Sequence, residues 1–354
     1  MKRKPAREVL DQMLGPRPFV LRAGPARPAS QQAATAERCA VLLGRMVDPE
    51  FDEVERLLRY LRVPVVRCAA ESAGACLGSV SPDGGFVAFG RARKPTVCWN
   101  RVEPASVARD AREVLRQESA RTLAAQITAL APLAVPGARL GLIEQLAGAS
   151  RAGARVPRTV VTSDPGRAVA GLAGRDFMVK VLGSHFIRTS PGLFHGALPQ
   201  VLTRAQVTSL VSSGVPVVLQ EHIPHTAEYR VYYVGGRVSA FAVTKPSPAA
   251  PWTSPGDVLV RELPVPPDAS RLVRSLARRW NLRFGAFDLL RATEGLVFLE
   301  VNEDGDWRWF EGKASVRCVS MAAALLVKQL HAAAGGTTAG PGGHGLDLMS
   351  FLIA

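Results

Sequence analysis

Aromatic residues are scarce in this 354-residue chain, at 6% of the total, and no segment interleaves them with basic side chains. Stacking on nucleic-acid bases needs such an arrangement. No helix-turn-helix, zinc-finger or RNA-binding signature takes its place, so no specific nucleic-acid partner is expected. The five cysteines, Cys39, Cys68, Cys76, Cys98 and Cys318, are odd in number and show neither CxxC nor Cys/His ligand spacing. That argues against a disulfide framework or a zinc site and predicts reduced, packed thiols in a cytoplasmic protein. No apolar run reaches bilayer-spanning length, and the basic start MKRKPAREVLDQMLG lacks the apolar segment of a signal peptide. No membrane partner is expected. There is no GxxxxGK[ST] loop and no HExxH, so any use of ATP does not go through a P-loop. The GxGxxG match at Gly340, Gly342 and Gly345 follows a helical pattern and opens no helix, which rules it out as a dinucleotide site.

Acidic residues are outnumbered 30 to 44 by Lys and Arg, a net charge of +14. Such an excess attracts polyanions: nucleic acid, nucleotide phosphates, or an acidic protein or peptide. Because the basic residues are spread along the chain, charge alone does not choose among them. With 47% hydrophobic and 21% charged residues the composition is that of a folded protein large enough for two or three domains.

Residues 1–36 are basic and rich in Pro and Ala, and are expected to form a disordered extension. Ordered structure is predicted from Arg38. A buried strand (CAVLLG), an amphipathic helix over Pro49–Arg62 and a second strand (VPVVRC) make a βαβ unit. Ser79 to Gly90 reads as a hairpin turning on Pro82-Asp83-Gly84-Gly85, Pro95 to Val102 as a strand and Pro104 to Leu130 as a helix. A helix ending near Gly153 and a strand over Arg158–Thr162 follow. The turn signal Ser163-Asp164-Pro165 then leads into a short helix. Asp176–Phe186 reads as a strand ending in a glycine turn. Pro216–Ile223, Glu228–Val234 and Arg237–Thr244 are three further strands, the last two joined by Gly235-Gly236. A helix with four arginines covers Ser270–Trp280, an amphipathic helix covers Val316–Ala334, and the Gly-rich remainder, 335–354, is expected to be a flexible tail.

Two places in this order invite chemistry. In GAFDLLRATEGLVFLEVN a hairpin would set Asp288 on one strand beside Glu300 and Asn302, two apart on the next. Carboxylate and amide oxygens gathered this way, with positions left for water and phosphate, suit a magnesium-nucleotide site. Acids on a hairpin that simply face water are the alternative. Lys180 lies within the apolar strand FMVKVL, where an ammonium facing an anion is one reading and an outward-facing residue the other. His222 and His225 lack a third ligand nearby in sequence, so they are expected to bind no metal.

Taken in order, Lys180 in its strand, VVLQEHI, EYRVYYVGGRV, GAFDLL, FLEVN and GDWRW resemble the ATP-grasp superfamily of carboxylate ligases. Within it, the chain looks most like the graspetide (microviridin-type) ribosomal peptide maturases, on GASRAGARVPRTVVTSDP, Glu300-Val301-Asn302 and the ending Trp307, Trp309, Glu311. The similarity runs from about residue 38 to residue 331. It implies an α/β ATP-grasp fold with an N-terminal βαβ (pre-ATP-grasp) domain over 37–135. A central ATP-grasp subdomain over 136–220 and a C-terminal one over 221–334 would follow. ATP and Mg²⁺ are the implied cofactors. Lys180 would bind the phosphates, and Gln220, Glu221, His222 and Ile223 would form the hinge that reads the adenine edge. Glu228 would accept from the ribose hydroxyls, and Arg230 and Lys245 would stabilise charge at the γ-phosphate. Asp288, Glu300 and Asn302 would hold magnesium.

The chain departs from the pattern at Leu142, which aligns with a second nucleotide lysine; Arg139 is the nearest basic residue. The loop Gly183–Gly196, with His185, Arg188 and His195, is not the usual glycine-rich cover, and the tryptophan-arginine strand appears as Trp99-Asn100-Arg101. Trp307 and Trp309 are expected to point the same way along a strand, lining the acceptor cleft or packing in the core. The segment PRPFVLR (Pro16 to Arg22) resembles the recognition motif of precursor leaders, against which stands plain disorder. The implied activity is formation of an ester or amide through an acyl phosphate, crosslinking a carboxylate-bearing, leader-containing precursor peptide. A small-molecule amino-acid ligase or a non-catalytic nucleotide-binding partner are the alternatives. Oligomeric state stays open, with a homodimer among the options.

Overall fold

A computed structural model of the protein describes residues 36–69, 77–82, 84–102, 111–182, 186–190, 193–196, 198–212 and 214–336. Residues 1–35 of the expected N-terminal extension, with the PRPFVLR segment, His185, and the tail beyond residue 336 with its GxGxxG match lie outside the described residues. The described residues fall into two compact units. The first draws on the described residues of 36–48, 62–134 and 330–336, the second on those of 49–61 and 135–329.

The first unit is built on a sheet. Strand β1 (Glu37–Gly44) lies between β2 (Val65–Ala69) and β5 (Arg91–Asn100), parallel to both. A strand flanked on both sides reads as a continuous apolar run, which is what CAVLLG is. The connection from β1 to β2 is helix α1 (Pro49–Tyr60), so the predicted βαβ order is present, although α1 groups with the second unit. Strands β3 (Leu77–Val80) and β4 (Phe86–Ala88) form the predicted antiparallel hairpin and extend the sheet beyond β5. Helix α2 (Ala111–Leu130) supplies Ala124 and Ile127 to a core with Cys39, Cys68 and Cys98, and β6 (Leu133–Val135) pairs with β5. Among the described cysteines, these three and Cys318 are free thiols.

In the second unit, helix α3 (Leu142–Arg151) is followed by β7 (Thr159–Thr162) and the short α4 (Pro165–Ala168). The Ser-Asp-Pro signal works as predicted: Pro165 starts α4 and the Asp164 carboxylate accepts from the Arg167 N–H at 3.0 Å. Strand β8 (Asp176–Val181) precedes a hairpin of β9 (Phe186–Ser190) and β10 (Leu193–Gly196), which carry Arg188 and His195. Then come β11 (Gln200–Thr203), α5 (Arg204–Thr208) and β12 (Val217–Glu221). Strands β7, β8, β11 and β12 form an antiparallel sheet in the order β11-β8-β12-β7. Phe177 and Leu219 from this sheet bury against Val207 of α5 and Val169 after α4.

The larger sheet of this unit is also antiparallel. Strands β13 (Ala227–Val234) and β14 (Arg237–Thr244) form a hairpin whose two-residue turn, Gly235-Gly236, takes φ of 55° and 94°. Two positive φ values in succession call for glycine. After the short helix α6 (Ala250–Thr253), strand β15 (Leu259–Leu263) pairs with β14. Helix α7 (Pro267–Arg279) then leads to the hairpin β16 (Phe284–Ala292) and β17 (Gly295–Asn302). The strand order is β15-β14-β13-β16-β17. One face of this sheet packs under α3 and α7 through Leu146, Val273, Leu276, Trp280, Phe287 and Phe298. Helix α7 buries Ala269, Val273, Leu276 and Ala277 at helical spacing and leaves its arginines outside.

The segment after β17 corrects one expectation. Trp307 and Trp309 do not share a strand: Trp307 immediately precedes helix α8 (Arg308–Ala314) and Trp309 lies within it. Trp307 is fully buried, with its indole N–H donating to Ser320 Oγ at 3.0 Å and its ring against Phe284. It is a core residue and lines no acceptor cleft. Gly305 and the turn before it end the strand, so the alternation of the two tryptophans falls on a helix start, where it places them on different faces. Helix α9 (Cys318–Ala333) closes the described chain.

Candidate functional site

Along β13 and β16 of the sheet β15-β14-β13-β16-β17, residues alternate between the helical core and the opposite face, which carries several polar side chains. On β13, Tyr229, Val231 and Tyr233 face the helical core, so Glu228, Arg230 and Tyr232 face away. On β16, Phe287 and Leu289 are core residues and Asp288 lies between them. Strand β17 cannot follow simple alternation, because Phe298 and Val301, three apart, both face that core. A bulge resolves this: Leu289 pairs with Phe298 while Asp288 pairs with Glu300, leaving Leu299 as the extra residue. Past the bulge, Glu300 and Asn302 join Asp288 on the polar face.

The register then sets Arg230 opposite Asp288 and Asp288 opposite Glu300 on three neighbouring strands. Arg230 Nη1 donates to both Asp288 oxygens, at 3.0 and 2.8 Å. Asn302 Nδ2 lies 3.4 Å from Asp288 Oδ2 and 3.5 Å from Glu300 Oε1. From the smaller sheet, Lys180 on β8 reaches across to Glu300, with Nζ 2.5 Å from Oε2. The sequence-predicted Lys180, Arg230, Asp288, Glu300 and Asn302 are therefore one contiguous cluster drawn from two sheets.

Charge is divided unevenly within it. Burial pushes the Asp288 carboxyl above its ordinary range, the Glu300 charge adds to this, and Arg230 offsets only part. Burial pushes Glu300 up too, but Lys180, Arg230 and Asn302 together outweigh it and hold that carboxyl below its ordinary range. Burial pulls Arg230 down, but Asp288 and Tyr232 together raise it by more, so the guanidinium stays charged.

A second group lies beside the first. Glu228 accepts from Lys245 Nζ at 2.8 Å, and the His225 ring nitrogen Nε2 is 3.2 Å from its other oxygen. The His222 and His225 rings are 6.2 Å apart; burial, then His225, lowers the His222 pKa and favours its neutral form. Of the four residues expected to form a hinge, Gln220 and Glu221 end β12 of the smaller sheet. Gln220 Nε2 donates to Thr159 Oγ1 at 2.9 Å, the Glu221 N–H to Arg158 O at 2.8 Å and the His222 N–H to Asp176 O at 3.0 Å. Ile223 is buried with Leu290, Ala292 and Val297. Leu142 packs on the helical core, and Arg139 forms an ion pair with Asp304, just past β17.

Among the described residues no group of three or more His, Cys, Asp or Glu side chains is arranged to hold a metal ion. The cluster at β16 and β17 is instead two carboxylates and an amide. These hard oxygen donors fit magnesium, and their small number fits an ion that keeps water and phosphate oxygens in its shell.

Sequence reasoning missed one residue that shapes this cluster. Strand β17 is a sheet edge, and Gln145 of α3 takes the place of the missing neighbour. Its Oε1 accepts from the Val301 N–H at 2.8 Å and its Nε2 donates to Val301 O at 2.9 Å and to Leu140 O at 2.9 Å. Val301 lies between Glu300 and Asn302, so this clamp fixes the backbone of both. The available signal was a glutamine at a core-facing position of an amphipathic helix, beside Leu146 and Ala149.

No protein-family model matches the sequence, and no curated protein does. Solved structures do match. The ATP-grasp ligase PsnB, complexed with a phosphomimetic variant of a minimal precursor, Mg and ADP, aligns with a TM-score of 0.66 at 18% identity. The alignment covers 83% of this chain and 99% of that one. A RiPP-associated ATP-grasp ligase of Chryseobacterium gregarium, in complex with ADP and a leader and core peptide, aligns at 0.66 with 19% identity over 83% and 97% of the two chains. The macrocyclase MdnC of Microcystis aeruginosa MRC, bound with precursor peptide MdnA, gives 0.65 and 15% over 82% and 99%. A RimK domain ATP-grasp protein of Sphaerobacter thermophilus DSM 20745 gives 0.52 and 15% over 82% and 98%.

Proposed function

We propose, from the ATP-grasp fold that this chain carries, that the protein is an ATP-dependent, ADP-forming ligase that crosslinks a carboxylate-bearing precursor peptide. The observation that carries this is the cluster itself: Lys180 and Arg230 beside Asp288, Glu300 and Asn302, gathered from two sheets. Two oxygen-rich acids next to fixed cations suit a metal-bridged polyphosphate and little else of comparable charge. The higher likeness to the RiPP-associated ligases than to the RimK domain protein favours a peptide substrate.

In this proposal Asp288, Glu300 and Asn302 hold magnesium, which when bound neutralises charge on the phosphate oxygens. Lys180 exchanges Glu300 for a phosphate oxygen, and Arg230 and Lys245 face the γ-phosphate. The Gln220–Ile223 hinge borders the adenine and Glu228 takes the ribose hydroxyls. A substrate carboxylate attacks the γ-phosphorus and ADP leaves, giving an acyl phosphate. A hydroxyl or amine of the same peptide then attacks the acyl carbon, loses its proton and expels phosphate, closing an ester or amide. The protein's part is orientation and charge neutralisation.

Incubation with MgATP and an Asp- and Glu-bearing candidate precursor tests this by mass spectrometry. Loss of one water per crosslink, with ADP formed, is the expected result. An unchanged peptide mass alongside ADP formed with free amino acids would favour a small-molecule ligase. ATP turnover unaffected by Asp288→Ala would remove the enzymatic assignment.

A further inference from the structure

The Arg230 guanidinium is held by more than its carboxylate. Both Asp288 oxygens are served by Nη1, and no hydrogen bond from Nη2 accompanies these among the described residues. The Arg230 Cζ lies 5.3 Å from the centre of the Phe310 ring and 5.5 Å from that of Tyr232. Nε donates to the Tyr232 hydroxyl at 3.4 Å, and that hydroxyl donates onward to Asp306 O at 2.5 Å. Burial raises the Tyr232 pKa, so the phenol keeps the proton this second bond needs. Past Nη2 sits Gly305, where an added Cβ would lie 2.6 Å from Nη2 and 2.6 Å from the Ala286 Cβ. Tyr232 and Phe310 meet edge to face at 6.0 Å, which fixes the two rings against each other.

We infer that Tyr232, Phe310 and Gly305 form a cage that positions the Arg230 guanidinium for the transferring phosphoryl group. This rests on the proposed function and adds positioning residues to it. Aromatic faces attract a cation without taking its N–H donors. Asp288 alone would leave the plane of the guanidinium free to turn about its contact with Nη1. The two rings and the tyrosine hydroxyl remove that freedom before ligand arrives, which is where electrostatic stabilisation gains most. Arg230 comes from β13, Tyr232 two residues on along the same face, and Gly305 and Phe310 from the segment after β17. The segment that begins at the metal ligand Asn302 thus also closes the cage. An ordinary core role for the rings would not depend on the cation they surround.

The test compares, within each protein, the affinity for MgADP plus aluminium fluoride, a planar mimic of the phosphoryl group in flight, with that for MgADP alone, by calorimetry. The gain from aluminium fluoride is expected to fall about tenfold in Phe310→Leu, which removes a ring face, and about threefold in Tyr232→Phe, which keeps the ring and removes the hydroxyl that holds Nε. It should survive in Phe310→Tyr, which keeps a ring, and vanish in Arg230→Ala. Adding Phe310→Leu to Arg230→Ala should cost nothing further, as expected of residues that act through one group. Should Phe310→Leu not fold, Tyr232→Phe alone decides. A wild-type gain retained in both single variants, or an undiminished Phe310→Leu effect without Arg230, overturns the cage. So does wild-type binding of MgADP with no gain from aluminium fluoride. Failure of the wild type to bind MgADP at all removes the nucleotide site itself, a distinct outcome.

Discussion

At Glu311 a fully buried carboxylate holds the start of a helix. Its oxygens accept from the Val319 and Ser320 N–H groups at 2.9 and 2.8 Å, from the Ser320 hydroxyl at 2.5 Å and from Arg308 Nη1 at 2.9 Å. Two of these donors are orphan amides at the first turn of α9, so the acid caps that helix from α8. Glu311→Ala would strand the donors and a largely buried guanidinium. It is expected to lower stability by about 3 kcal/mol, read as a lower urea midpoint with an unchanged slope. The sequence placed Glu311 only as the last letter of a motif ending. Its role depends on a helix nine residues further on bending back to it, which no local pattern records.

Two contacts between elements carry the polar face of the large sheet. Gln145 ties α3 to the backbone of β17 at Val301. Gln145→Leu keeps the volume but leaves a buried N–H and C=O unpaired, at an expected cost of about 2 kcal/mol. With Glu300 and Asn302 less firmly held, the magnesium needed for half-maximal nucleotide binding should rise several-fold. Thermal melting and a magnesium titration followed by calorimetry check the two effects. At the start of α7, Asp268 accepts from Arg291 of β16 at 2.6 and 2.9 Å. That hydrogen bond, above all, holds the Asp268 carboxyl below its ordinary value of 3.8. A depressed carboxylate contributes stability above its unfolded pKa and loses it as pH falls through its folded one. Asp268→Asn should therefore cost under about 1 kcal/mol at neutral pH, discounted for solvent exposure. The difference from wild type should start to shrink as pH falls towards 3.8 and vanish only below the folded-state pKa, which lies lower still. Paired urea melts at neutral and acid pH measure this.

Over the whole molecule, the net charge of +14 is the property most directly set by composition. An acidic peptide substrate should bind about tenfold more weakly when salt is raised from low to above physiological strength, whereas an uncharged analogue should change little. Fluorescence anisotropy across a salt series tests this; a flat response from the acidic peptide would remove charge as the basis of substrate choice. Among the described residues no helix is long and apolar enough to cross a membrane.

The elements of this fold were legible because their signals are local: period-two alternation on β13 and β16, Ser-Asp-Pro before α4, Gly-Gly in the β13–β14 turn. Lys180, Arg230, Asp288, Glu300 and Asn302 were also visible, as charged or amide residues at strand positions within one recognisable order. What the sequence by itself determined is thus which residue types face away from the sheet. Tertiary structure alone decided which of them touch. The bulge at Leu299 keeps Glu300 and Asn302 on the polar face, Gln145 closes the open edge of β17, and Phe310 and Gly305 reach Arg230 from some eighty residues away. Each is a long-range contact fixed by packing and backbone register. The same hydrophobic pattern is compatible with many such contacts until the two sheets and their helices close around one.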